Sequence, residues 1–197
     1  IPLRLVGSEM CIRDRPTTRS AVVVGAGTIG LAIVAALKAY GVQRIAAVDL
    51  DAGRLKEAKD LGADDVFDAA QVNPKQLTEW GASSVDTDGA DMVLEAVGAA
   101  ASVNTAIHAV TRGGTVVLVG NVSPAVEIPL QTIVTRQIRL QGSCASAGCY
   151  PEAIRFAASG KVDLSRFVSR VAPLAEGAGW FERCLLYTSP SPRDVEE

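Results

Sequence analysis

The stretch Ala21 to Asp51, AVVVGAGTIGLAIVAALKAYGVQRIAAVDLD, constrains the fold more than any other part of the chain. The apolar run Ala21–Val24 leads into a glycine turn, Gly25-Ala26-Gly27-Thr28-Ile29-Gly30. A helix-length apolar segment follows to Tyr40 and Gly41, and a second apolar run, Ile45 to Val48, stops at Asp49. Strand, tight turn, helix, strand and acid, in that order, are the layout of a dinucleotide-binding βαβ unit. Each residue type has a physical reason. Gly25 lets the chain leave the strand in a tight turn. Gly27 has no side chain to hold a pyrophosphate away from the backbone, and Gly30 lets the helix pack close to the strand. The helix N-terminus offers free N–H groups and a partial positive charge to phosphates. Asp49 stands where a carboxylate can accept hydrogen bonds from the adenosine ribose hydroxyls. A glycine turn by itself can be a plain connector; the strands, helix and acid around this one make it specific.

The two ends differ from everything between them. Leu5 to Arg15 reads LVGSEMCIRDR, and Cys184 to Asp194 reads CLLYTSPSPRD. One oligonucleotide can encode both, giving LVGSEMCIRD on one strand and CLLYTSPSPR on its reverse complement. It resembles the transposon-end adapter used to prepare sequencing libraries. Residues 1–15 and 184–197 are therefore expected to be non-native flanks. Residues 16–183 are then a gene fragment, long enough for one domain with its own core.

Charge and cysteine usage narrow the function. The net charge of −3, with no basic block, argues against nucleic acid as the main partner. No apolar run reaches the length of a membrane span. Of the four cysteines, Cys11 and Cys184 fall in the flanks. Cys144 and Cys149 make neither a CxxC pair nor a disulfide framework, so a reducing cytoplasm is the expected location.

Strand-like and helix-like runs alternate along the chain, which predicts an α/β, Rossmann-type doubly wound parallel sheet with helices on both faces. Strands are expected at Ser20–Gly25, Arg44–Asp49, Asp64–Phe67, Met92–Val97, Thr115–Val119, Gln137–Gln141 and Val168–Val171. Helices are expected at Thr28–Tyr40, Ala52–Leu61 (capped by Asp51 and closed by Gly62), Asn73–Trp80, Ala101–Val110, Leu130–Thr135, Pro151–Ser159 and from Leu174 onward. The helix at Asn73–Trp80 is polar and expected to be exposed, and Gly81–Gly89 and Gly142–Ala147 read as loops. Gly25, Asp49, Gly98, Gly120 and Gly142 all fall at strand ends. In a doubly wound sheet those ends form one rim, and a cofactor lies along it.

With these motifs in hand, the sequence resembles the cofactor domain of the zinc-type medium-chain alcohol dehydrogenases. The matching segments are GAGTIG at 25–30, VDLD at 48–51, RLKEAKDLGAD at 54–64, EAVG at 95–98, GGTVVLVG at 113–120 and QIRLQGS at 137–143. The second half is most similar to the polyol and threonine dehydrogenase branch. The resemblance implies an NAD site. Gly25, Gly27, Ile29 and Gly30 would form the pyrophosphate turn, Asp49 would bind the ribose, and Arg54 would lie over the adenosine ribose. Val97 and Gly98 would be adenine- and ribose-side contacts. Val119, Gly120 and Asn121 would stand beside the nicotinamide, with Ser143 and Cys144 on its other side. Asp49 also implies NAD over NADP by at least about 1.5 kcal/mol, because a 2′-phosphate would meet a like charge; Arg54 works against that preference.

The departure from the family lies in what is missing. The family's zinc, a Lewis acid on the alcohol oxygen, is held by a separate domain that this chain lacks. His108, the only histidine, reads as a helix-surface or packing residue, and Cys144 and Cys149 have no third ligand in view. No catalytic or metal residue is therefore assigned. The expectation is a fragment that binds NAD without catalysis, cut from a parent that oxidises a small-molecule alcohol and is a homo-oligomer, with Ala125–Ile128 part of its pairing edge. Two other readings share the βαβ unit: the cofactor domain of a zinc-free quinone reductase, and a non-catalytic NAD-sensing domain.

Overall fold

The computed structural model of the chain describes residues 18–82, 88–146, 148–168 and 171–180. The expected flanks, 1–15 and 184–197, lie outside the described residues. The chain divides into two compact units, Ile1–Val162 and Asp163–Glu197.

The first unit is a six-stranded, all-parallel sheet in the order β3-β2-β1-β4-β5-β6. Its strands are β1 Ser20–Val24, β2 Arg44–Asp49, β3 Asp65–Asp68, β4 Ala90–Glu95, β5 Val110–Leu118 and β6 Arg139–Gly142. Its helices are α1 Thr28–Ala39, α2 Ala52–Asp60, α3 Pro74–Gly81, α4 Ala100–Ala109, α5 Leu130–Thr135 and α6 Tyr150–Ala158. The sheet order follows from the strand sequences. VVV, IAAV, MVL and TVVL are continuously apolar because β1, β2, β4 and β5 are covered on both faces. The short outer strands, DVFD and RLQG, are only partly covered, and polar residues suit an edge. Val22, Val24, Ala46, Val48, Val93 and Val116 form one core with Leu77 of α3 and Val103, Ala106 and Ile107 of α4. Right-handed crossovers place α1 and α2 on the opposite face. The strand order reverses between β1 and β4, and the strand ends there open a crevice.

Several elements depart from the sequence-based expectation. The helix expected to be polar and exposed, α3, buries Leu77 fully and packs Trp80 against the core. One apolar residue per turn is enough to dock a short helix whose start is fixed, here by a capping box between Asn73 and Gln76. Burying Leu77 alone contributes about 2 kcal/mol. Strand β5 begins at Val110, directly after α4, and not at Thr115. Gly113 (φ 67°) and Gly114 sit inside it, beside an irregular register between Ala90 and Met92. A Cβ on Gly114 would stand 2.6 Å from Val110 Cγ2 and 2.8 Å from Thr111 O, so the glycine pair permits a tight irregularity within one strand. Strand β4 ends at Glu95, which leaves Val97 and Gly98 in the loop beyond it.

Residues 163–168 and 171–180 of the second unit hold the 3-10 turns Leu164–Phe167 and Leu174–Glu176. Neither Val168 nor Val171 is in a strand, and the residues between them lie outside the described set. No helix among the described residues is long and apolar enough to cross a membrane.

Candidate dinucleotide site

Because every strand is parallel, the C-terminal strand ends lie along one rim. Gly25 follows β1 with φ 96°, a conformation suited to glycine, and its N–H donates to Val48 O at 2.8 Å. Gly30 packs so tightly that a Cβ there would be 1.7 Å from Gly25 O. At Gly27 a Cβ would meet nothing within 4 Å, so space lies open over the turn. Gly27 is the N-cap of α1, yet no side chain caps the helix and no acid stands in its first turn. The first N–H groups of an α-helix have no acceptor within it. Ile29, the one large apolar residue of the turn, is 55% exposed.

Asp49 ends β2 beside this turn. Its Oδ2 accepts from Ala26 N–H at 2.6 Å, and its Oδ1 accepts from Asp51 N–H at 2.9 Å. Arg54 Nη1 lies 4.0 Å from Asp49 Oδ1, with the acid largely buried and the arginine partly exposed. Asp51 caps α2, accepting from Arg54 N–H at 2.9 Å. That bond, with Gly53 N–H and the Arg54 guanidinium, holds the Asp51 carboxyl below its ordinary value. The acid expected to meet a ribose therefore also braces the glycine turn through one oxygen.

Across the reversal point, Val97 reaches the turn: its Cγ2 is 2.5 Å from where a Cβ on Gly25 would stand. Gly98 (φ 83°) and Gly120 cross backbone to backbone. A Cβ on Gly98 would be 2.3 Å from Asn121 N, and one on Gly120 would be 2.1 Å from Gly98 N. Val119 and Gly120 are half-buried and Asn121 is exposed. Ser143 follows β6, its N–H donating to Leu118 O at 2.9 Å, while its buried Oγ has no partner among the described residues. Cys144 is an exposed free thiol beside it. The rim thus gathers the anticipated residues from five strand ends.

Glu95 is the rim residue that the sequence reading passed over. It falls inside the strand expected at Met92–Val97, so nothing local marked it as a strand end. His108 lies on α4, where its Nδ1 is 2.8 Å from Asn104 O, one turn back. Among the described residues no group of three His, Cys, Asp or Glu could hold a metal ion. Ala125–Ile128 lies in the loop before α5, while the edge of the sheet on that side is β6.

A sequence model described as "Zinc-binding dehydrogenase" matches residues 28–159. The chain is 32% identical over 178 residues to a sorbitol dehydrogenase of Ovis aries, covering 90% of this chain and 50% of that protein. It is 35% identical over 155 residues to D-xylulose reductase A of Aspergillus oryzae, covering 78% and 43%. Among solved structures, alcohol dehydrogenase TADH from Thermus sp. ATN1 matches with a TM-score of 0.76 and 33% identity, over 91% of this chain and 52% of that one. The chain spans about half the length of the curated relatives it matches.

Proposed function

The chain belongs to the zinc-binding dehydrogenase family and corresponds to its cofactor-binding half, and from that premise we propose that its rim binds NAD for a parent that oxidises an alcohol, in the polyol range. One observation carries the reading: α1 starts uncapped, on open space at Gly27, beside the largely buried carboxylate of Asp49. That combination fits a pyrophosphate on the N–H groups and a ribose on the acid.

In this reading Gly25, Gly27, Ile29 and Gly30 hold the pyrophosphate, and Asp49 and Arg54 hold the adenosine ribose. Val97 and Gly98 make adenine- and ribose-side contacts. Val119, Gly120, Asn121, Ser143 and Cys144 orient the nicotinamide. The nicotinamide, when bound, supplies the hydride acceptor. The residues of this chain bind it, orient it and shield one of its faces. The described residues do not fit a zinc site, so zinc is assigned to the parent's other half and no step is routed through it here. The native domain is proposed at 16–183, the location as cytoplasmic, the partner as a small-molecule alcohol, and the parent as a homo-oligomer.

Titration of the purified chain with NADH and NADPH tests the cofactor. Asp49 should favour NADH by about 1.5 kcal/mol or more, roughly tenfold. Arg54, 4.0 Å from Asp49, works against this preference and sets its lower bound. Equal or tighter binding of NADPH would remove the role given to Asp49, and no binding of either would remove the cofactor reading. Alcohol oxidation by the chain alone would refute its assignment as the non-catalytic half.

A further inference from the structure

We propose that Glu95 is the positioning residue of this rim, setting the exits of β4 and β5 in the binding geometry before a dinucleotide arrives; the inference rests on the reading of the rim as an NAD site. Glu95 is the last residue of β4 and is fully buried. Its Oε1 accepts from Val97 N–H at 2.8 Å and from Gly98 N–H at 2.7 Å. Its backbone carbonyl accepts from Val119 N–H at 2.8 Å and Gly120 N–H at 3.0 Å. Donors from two separate loops thus converge on one residue. Those loops are the ones that cross at Gly98 and Gly120, and Gly98 O accepts from Ser123 N–H at 2.9 Å to close the crossing. The same clamp fixes Val97, which packs where a side chain on Gly25 would stand, so its reach extends to the pyrophosphate turn.

A carboxylate is a costly way to fill a strand end. Among the described residues no donor reaches Glu95 Oε2, although it is buried. A buried carboxylate oxygen without a partner opposes folding. The preceding Met92, Val93 and Leu94 fill β4 with apolar side chains and incur no such cost. An apolar residue at 95 would leave the Val97 and Gly98 N–H groups without that acceptor, free to turn toward water or toward the cleft. What the carboxylate adds is therefore loop geometry, and it adds it at the rim.

The test compares NADH titrations of the wild-type chain, Glu95→Gln and Glu95→Leu, with amide hydrogen exchange of the unliganded wild type. The Gln variant keeps the Oε1 acceptor and should bind within about threefold of wild type, while Glu95→Leu should weaken binding at least about tenfold. A folded Glu95→Leu chain that binds within threefold overturns the proposal, as does equal loss in both variants. If Glu95→Leu does not fold, exchange decides. Val97 and Gly98 amides as protected as those of β4 without NADH support pre-positioning; free exchange that only NADH slows overturns it. Failure of the wild type to bind NADH would defeat the cofactor reading and leave the exchange result to judge Glu95.

Discussion

Replacing Gly27 by alanine should separate binding from folding. A Cβ at this position meets nothing within 4 Å. The backbone there, φ −68° and ψ −176°, is one that alanine adopts freely. Two effects on stability oppose each other. Alanine restricts the unfolded chain, worth about 0.4–1 kcal/mol in favour of the fold. At a helix N-cap alanine is worse than glycine by a similar amount, about 0.5–1 kcal/mol. The sum is near zero, so the unfolding midpoint should move by no more than about 3 °C. Binding should respond very differently. In the proposed site the open space at Gly27 is where a pyrophosphate approaches the first N–H groups of α1, and a methyl group there would hold it off. Hydrogen bonds to a charged group contribute about 1.5–3 kcal/mol each. Losing one or lengthening several should weaken NADH at least about thirtyfold, or about 2 kcal/mol. The assay is NADH titration by fluorescence, paired with thermal unfolding of the same samples. An alanine variant with unchanged stability and NADH affinity within threefold of wild type would show that no phosphate lies over Gly27.

Gly30→Ala should do the reverse first. Its Cβ would stand 1.7 Å from Gly25 O and 2.8 Å from Gly25 C, both backbone atoms. Relief requires β1 and α1 to separate, so urea unfolding should show a loss of about 2–3 kcal/mol; a midpoint equal to wild type would mean that the helix does not pack on the turn as described. Asp88→Asn should destabilise the fold in a pH-dependent way. Partial burial pulls the Asp88 carboxyl upward, but Arg112 N–H, the Arg136 guanidinium and the Thr111 hydroxyl outweigh it, and the net direction is down. A lowered folded value stabilises fully above the unfolded value near 3.8 and is lost as pH falls through the folded one. The carboxylate side chain is half exposed, so solvent screening limits the gap at pH 7 to less than about 1 kcal/mol. That gap should shrink as urea midpoints are followed from pH 5 down to pH 3, and a gap that widens on acidification would refute the ion-pair account.

The sheet and the glycine turn with Asp49 beside it were legible because they depend on local signals. Buried parallel strands need unbroken apolar runs, and the turn needs glycines at fixed spacing, so β1, α1, β2 and Asp49 could be read directly. The misreadings share a cause, which is that packing overrides local pattern. The Asn73–Trp80 segment has mostly polar residues, but Leu77 and Trp80 alone decide its docking. Gly113-Gly114 falls inside a strand because the neighbouring chain permits a kink there. Glu95 carries no periodicity of its own, and only its placement opposite two loops distant in sequence gives it a role. No local signal could have revealed that Asp49 also braces Ala26 N–H, since that bond depends on how β2 sits beside the turn.

The two sides of the reversal point between β1 and β4 are built by different means, and this has a consequence for cofactor choice. On the β2 side, Asp49 and Arg54 present side chains, one largely buried and one partly exposed. On the β4 and β5 side, the geometry is set by backbone: N–H groups on Glu95 and the crossing of Gly98 with Gly120, where any Cβ would collide with main-chain atoms. The partly exposed Arg54 can be exchanged at little cost to the fold, whereas the backbone crossing cannot. In the proposed NAD site, discrimination at the ribose is therefore adjustable through residue 54, while Asp49 is tied to the turn through Ala26 N–H. The proposed nicotinamide side is fixed by the sheet, because its geometry and the stability of the β4–β5 junction depend on the same atoms.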